Sequence, residues 1–161
     1  MFENEITLNQ FLLEQLATIM ADLPEDCLFT RGSGHGHPPV WILGHLAIVG
    51  EMGQTFLGGS VSHPEWIPLF GPGSSDEVQP DASLTREALI AANSSAYETL
   101  RTLAANADAA AMAQPHPIEL LHGTAIETNG QLLAHILTSH VGFHLAQLSS
   151  CRRERGIAAL F

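Results

Sequence analysis

The chain has 161 residues, 45% of them hydrophobic, which is one domain's length and enough apolar content to bury a core without disulfides or a metal staple. Six arginines, no lysine and 17 acidic residues give a formal charge of −11, which argues against nucleic acid as a partner. Cys27 and Cys151 are too few and too far apart for a disulfide framework or a Cys-rich zinc site, so a reducing cytoplasm is expected. The start, Met1-Phe2-Glu3-Asn4-Glu5, is acidic where a signal peptide is basic, and no apolar run approaches the roughly 20 residues that span a bilayer. A soluble, unexported protein with no membrane association is expected.

Four segments carry helical periodicity and none of useful length alternates like a strand, which predicts an all-α fold. The first helix is expected over residues 8–22, with Leu8, Phe11, Leu12, Leu16, Ile19 and Met20 on one stripe and Thr7-Leu8-Asn9-Gln10 as a capping box. Pro24 stops it. The second starts at Pro38-Pro39, a proline opening suited to a first turn, and runs through Trp41, Ile42, His45, Leu46, Val49, Met52 and Phe56 to Gly58-Gly59. The third is expected over residues 84–105 behind Ser83 as N-cap, with Leu89, Ala92, Ala96, Leu100 and Leu103 along one side. The fourth starts behind a second capping box, Thr128-Asn129-Gly130-Gln131, and continues through Leu133, Ile136, Leu137, His140, His144, Leu148 and Cys151 until Gly156. Arg152, Arg153 and Arg155 cluster at its end, where they face the helix dipole and read as a cap, not a phosphate clamp.

Connection lengths bear on topology. Residues 59–82 hold Pro64, Pro68, Gly71-Pro72-Gly73-Ser74-Ser75 and Pro80, a stretch too long for a tight antiparallel link. A long crossover there makes the second and third helices parallel, giving an up-down-down-up four-helix bundle. Residues 106–128, with Gln114-Pro115-His116-Pro117, form a second irregular stretch with room for a short helix.

Three histidines carry the chemical signal. His140 and His144 are four residues apart on a helix, so both imidazoles leave one face about one turn apart and can grip one metal ion. His45, on the apolar face of the second helix, can complete the set. Three histidine ligands leave a coordination position open for water or substrate, the arrangement of a reactive metal and not of one that only staples a fold. The competing reading is plain: a histidine on an apolar stripe is often a hydrogen-bonded core residue, and nine histidines produce chance i, i+4 pairs. Gln147, one turn beyond His144, is a candidate to bond a ligand or substrate, or else faces solvent. His135, nine residues from His144, is expected to point away from the pair. His35 and His37 form a His-x-His in the glycine-rich approach to the second helix, a spacing that metals use and that loops also carry without role. Trp41 is expected to pack the core or wall a cavity, and Trp66 is a candidate lid. Cys151 is two turns from His144, about 10 Å along the axis, too far to ligate, and reads as a buried structural thiol.

Trp41-Ile42-Leu43-Gly44-His45-Leu46 in a proline-started second helix, with His140-x-x-x-His144-x-x-Gln147 in a last helix ending near arginines, resembles the DinB-like (YfiT-like) superfamily of metalloenzymes. The resemblance covers nearly the whole chain. It implies a single DinB-like bundle domain over residues 1–161, with a divalent metal held by His45 from the second helix and by His140 and His144 from the fourth. Members with an assigned activity use a low-molecular-weight thiol or water as nucleophile, as S-transferases, thiol-dependent isomerases or metal-dependent hydrolases. Relatives also commonly look dimeric, so a homodimer is expected. Two positions depart from the pattern: many relatives carry a glutamate where this chain has Val141 and a glycine where it has Ala146. Val141 removes a candidate general base and separates the motif from the His-Glu-x-x-His of zinc peptidases, whose glutamate activates the water.

Three neutral imidazoles with no carboxylate leave a dication its full charge, which lowers the pKa of a bound water or thiol. Zinc and nickel suit imidazole ligands, and an iron oxygenase site of two histidines and one carboxylate is not supported. The favoured function is therefore metal-dependent activation of a thiol or water for S-transfer or hydrolysis of a small-molecule substrate. Two alternatives stay open: a bundle that binds metal or ligand without catalysis, and a bundle with core histidines and a dimerisation or stress-related role.

Overall fold

The computed structural model describes residues 1–32 and 36–158. Helix α1 (Glu3–Asp22) begins more than a turn before the expected residue 8. Glu3 and Glu5 favour the positive end of the helix dipole, and Thr7 sits inside the helix with Oγ1 donating to the Glu3 carbonyl at 3.0 Å, so no capping box forms there. Helix α2 (Pro39–Thr55) opens on its proline as expected. The crossover that follows contains a 3₁₀ turn (Pro64–Trp66) and the single-turn α3 (Ile67–Phe70). Helix α4 (Arg86–Ala105) is capped by Thr85, whose Oγ1 accepts from the Ala88 N–H at 3.1 Å, and not by Ser83, which is engaged with Asp81. The second irregular stretch holds α5 (Ala109–Met112) and a 3₁₀ turn (Glu119–Leu121).

The expected fourth helix is two. Helix α6 (Asn129–Leu137) opens on the expected capping box of Thr128 and Gln131, and α7 (Ser139–Glu154) ends before Gly156 at φ +74°. Between them Thr138 leaves helical geometry (φ −125°, ψ −84°), with its Oγ1 donating back to the Ala134 carbonyl at 2.6 Å. Such back-bonding competes with the helical ladder and bends it. The break is held from outside: Asn9 Nδ2 donates to the Leu137 carbonyl at 2.7 Å, and Arg101 Nη1 donates to Asn9 Oδ1 at 2.8 Å.

Contacts between helices set the expected topology. Leu43 meets Asn93, Gln54 meets Ala96 and Gly53 meets Leu100, so α2 and α4 run parallel. Asn9 meets Leu137 and Asp22 meets Arg152, so α1 runs parallel to the α6–α7 unit, while His45 against His140 and Gly53 against Ile136 set α2 antiparallel to it. This is the up-down-down-up bundle, and among the described residues the only β pairing is a bridge between Pro115 and Thr128. No helix among the described residues is long and apolar enough to cross a membrane.

Helix α2 lies at the centre, with every residue but Met52 and Thr55 buried. On α1 the stripe is rotated from expectation: Leu8 and Phe11 are each 52% exposed, because the face turned inward carries Asn9, Leu16, Ile19 and Met20 and brings Asn9 to the helix break. Arg152, expected as part of a cap, does more than face the helix end. It is buried, pairs with Asp22 and donates to the Ala158 carbonyl at 3.2 Å, tying the ends of α1 and α7. Glu51, buried on α2, accepts from the N–H groups of Ser62 and His63 at 2.8 and 2.9 Å and from His63 Nδ1 at 2.6 Å, which pins the start of the crossover. Glu51→Ala therefore leaves three donors without their acceptor and is expected to cost about 2–3 kcal/mol in urea unfolding. A loss near zero would show the crossover to be held elsewhere.

Candidate metal centre

His45 is placed by its neighbours on both sides in sequence. Gly44 has no side chain because the Phe70 ring lies against it, where any Cβ would overlap the ring. That approach brings the Phe70 carbonyl over His45, whose Nδ1 donates to it at 2.7 Å. Trp41, one turn earlier, stacks on the His45 ring with centroids 4.4 Å apart and planes 10° from parallel. The Trp41 indole donates to Ser74 Oγ at 3.0 Å, and Ser74 in turn donates to the Leu69 carbonyl at 3.0 Å, so the crossover is tied to α2 on this side as well.

Helix α7 presents His140 and His144 to His45. Ring centroids lie 4.8 Å apart within the pair and 5.1 Å from His45 to each. One nitrogen from each of the three falls within 4.8 Å of the others, and the Nε2 atoms of His45 and His140 are 3.2 Å apart. Two imidazole nitrogens on a tetrahedral zinc lie about 3.3 Å apart, so this pair already has ligand spacing.

Proton positions favour metal binding too. A carbonyl oxygen only accepts, so His45 Nδ1 carries the proton and its Nε2 is bare. His144 Nδ1 donates to Gln147 Oε1 at 2.7 Å, which likewise leaves Nε2 bare. Burial lowers the pKa of His45, lowers His144 to about 4 and pushes His140 far below its ordinary value, with the neighbouring imidazoles adding to the shift at the last two. All three are therefore neutral near pH 7, the form that ligates. The buried Nδ1 of His140 has no hydrogen-bond partner, and the ring's polar contact is Nε2 at 3.2 Å from His45 Nε2. The three-histidine group fits a metal-dependent protein, and it contains no carboxylate.

The remaining candidates fall around this group. Gln147 is half-buried, bonds His144 through its Oε1, and lines a shallow pocket with Gly36, Phe143, Ala146 and Ser150. His135 does not point away as expected: the break at Thr138 brings its ring to 5.6 Å from that of His140, in the wall of the same cavity. His37 lies against Trp41 with centroids 3.8 Å apart and planes tilted by 33°, and its Nδ1 lies 2.7 Å from Asp76, which also pairs with Arg31, while His35 lies outside the described residues. Trp66 is not a lid. It is buried between His63 and Phe70, with centroids 4.6 and 5.5 Å away, and supports the segment that carries the Phe70 carbonyl. Cys27 and Cys151 are buried free thiols whose pKa values burial pushes up, as expected of structural cysteines.

Beside the histidines lies a cavity of about 290 Å³, walled at one end by Trp41, His45, His135 and His140. Fold and site together define a helical bundle with a three-histidine group, suited to a metal ion, at the edge of a small-molecule cavity. The chain matches the DinB superfamily over residues 10–148 and belongs to it. No curated protein and no solved structure matches the chain.

Neutral burial of the histidines has a pH signature. The unfolded chain takes up protons near pH 6.5, whereas folded His144 resists protonation to about 4 and His45 and His140 are shifted the same way. The unfolded state thus binds more protons between these values, so the metal-free protein is expected to lose stability as pH falls from 7 to 5. Urea midpoints that stay constant over that range would contradict the burial of neutral imidazoles.

Proposed function

We propose that the protein is a divalent-metal-dependent enzyme that activates water or a low-molecular-weight thiol for hydrolysis of, or S-transfer to, a small molecule. His45, His140 and His144 are the metal ligands in this reading, with zinc or nickel as the metal. The observation that carries it is the convergence of three neutral imidazoles, two with Nδ1 tied and Nε2 bare, with His45 and His140 of the three lining a cavity. A dication there supplies Lewis-acid activation, lowering the pKa of the nucleophile.

The chain's own residues supply orientation and exclusion of water. The Phe70 carbonyl and Gln147 fix the rings of His45 and His144, as outer partners of metal-binding histidines do. Gln147, the candidate catalytic residue, is thus a positioning residue that acts through His144. Trp41 covers the His45 ring and walls the cavity. A second reading, a bundle that holds metal or ligand without catalysis in a stress-related or dimerisation role, is favoured by one observation: Val141, fully buried, stands where a glutamate base would be.

We further read the chain 1–161 as one domain and the protein as cytoplasmic, in keeping with its two free thiols. A homodimer would cover Leu8 and Phe11, which share one exposed face of α1. Light scattering that gives a monomer mass would remove the dimer.

Metal analysis by inductively coupled plasma mass spectrometry tests the ligand set. About one zinc or nickel per chain is expected in the wild type and none in a His140→Ala, His144→Ala double variant of unchanged helicity. No metal in either protein, even after incubation with divalent ions, would overturn the proposal. Gln147→Ala is expected to weaken metal affinity by about 10- to 100-fold with helicity retained. Unchanged affinity would show that His144 needs no outer partner.

A further inference from the structure

The cavity beside the histidines narrows the substrate class, an inference that rests on the metal-centre reading above. Its volume of about 290 Å³ is roughly twice that of an engineered apolar cavity of about 150 Å³ that holds benzene. Polar side chains are confined to the end formed by His45, His140 and His135, and even there the Trp41 indole N–H is committed to Ser74. The rest of the wall is apolar, with Val49, Met52 and Phe56 on one side and Leu132, Ile136 and Ile118 on the other. No Asp, Glu or Arg side chain is among the described residues of the wall. A charged group placed against this apolar part of the wall, away from the histidines, would lose its hydration with no counter-charge, at a cost that excludes it.

Two further features agree. Leu120, on the 3₁₀ turn at the cavity's edge, is 77% exposed although it also lines the cavity, so an apolar side chain stands in water at the opening. His135 Nδ1 is 2.7 Å from Ser139 Oγ, which leaves its Nε2 free for a ligand beside His140.

We propose that the cavity binds a small molecule with an uncharged, apolar body of about six to ten non-hydrogen atoms, a size set by comparison with the benzene-sized cavity. Its single polar, reacting group sits between the three histidines and His135. Any charged part of a thiol co-substrate stays outside the apolar wall.

The test compares two probes that share one metal-binding head and differ in their apolar tail. Cobalt-loaded protein is titrated with acetohydroxamate and with hexanohydroxamate, followed by the visible bands of the bound cobalt. Each buried methylene tightens binding about fourfold, so the four extra methylenes are expected to give a gain of about a hundredfold or more. Leu120→Ser, an exposed change that leaves the core untouched, is expected to weaken hexanohydroxamate several-fold and leave acetohydroxamate unchanged. Equal affinities of the two probes, or an equal response of both to Leu120→Ser, would overturn the apolar-body assignment while leaving the metal centre intact. Failure of cobalt to bind would overturn the metal centre and this inference together.

Discussion

Helix α2 has almost no surface in water, and that enclosure governs the rest of the molecule. A histidine at position 45 in an enclosed helix must be neutral and must find a partner for its ring N–H, because an unpaired buried donor costs about 1–3 kcal/mol. The partner is a backbone carbonyl from the crossover, reached only because Gly44 leaves room for Phe70. Glu51 pins the beginning of the crossover and Ser74 pins its far side to Trp41, so a connection of loop composition becomes one wall of the site. The long link between α2 and α4 thus both allows their parallel packing and orients a functional side chain.

The opposite wall depends on a break in regular structure. A continuous helix through residue 138 would set His135 on a different face from His144. The turn at Thr138, held by Asn9 and Arg101 from α1 and α4, instead brings His135 alongside His140 in the cavity. The same break leaves α7 free to present His140 and His144 to His45. Three neutral imidazoles without a carboxylate form a site whose only strong charge would be that of a bound cation, in surroundings of low dielectric where that charge would act most strongly.

Much of this was legible in the sequence where a local rule governs. The four helical stretches follow from their 3.6-residue period, the parallel middle helices from the length of the proline- and glycine-rich link, and the pairing of His140 with His144 from their spacing, while His45 joins them through the resemblance to the DinB-like superfamily. What escaped depends on long-range contacts. Thr7 and Gln10 match a capping box locally, yet the helix begins earlier, Asn9 serves as the buried bridge to Leu137, and α1 rotates to suit, exposing Leu8 and Phe11. Thr138 sits in an unbroken apolar pattern that carries no stop signal, so the helix break is invisible until its partners are known. The acceptor for His45 is a main-chain carbonyl and leaves no mark in side-chain identities. Arg152 and Glu51 read as ordinary charged residues, and only the packed fold shows them buried with partners.

The most direct test of the central claim is anomalous diffraction at the absorption edge of the bound metal in crystals of the loaded protein. The account expects one peak about 2.0–2.1 Å from Nε2 of His45, His140 and His144, at the wall of the apolar cavity. A peak at the His37 and Asp76 pair, or none at the three histidines, would contradict it.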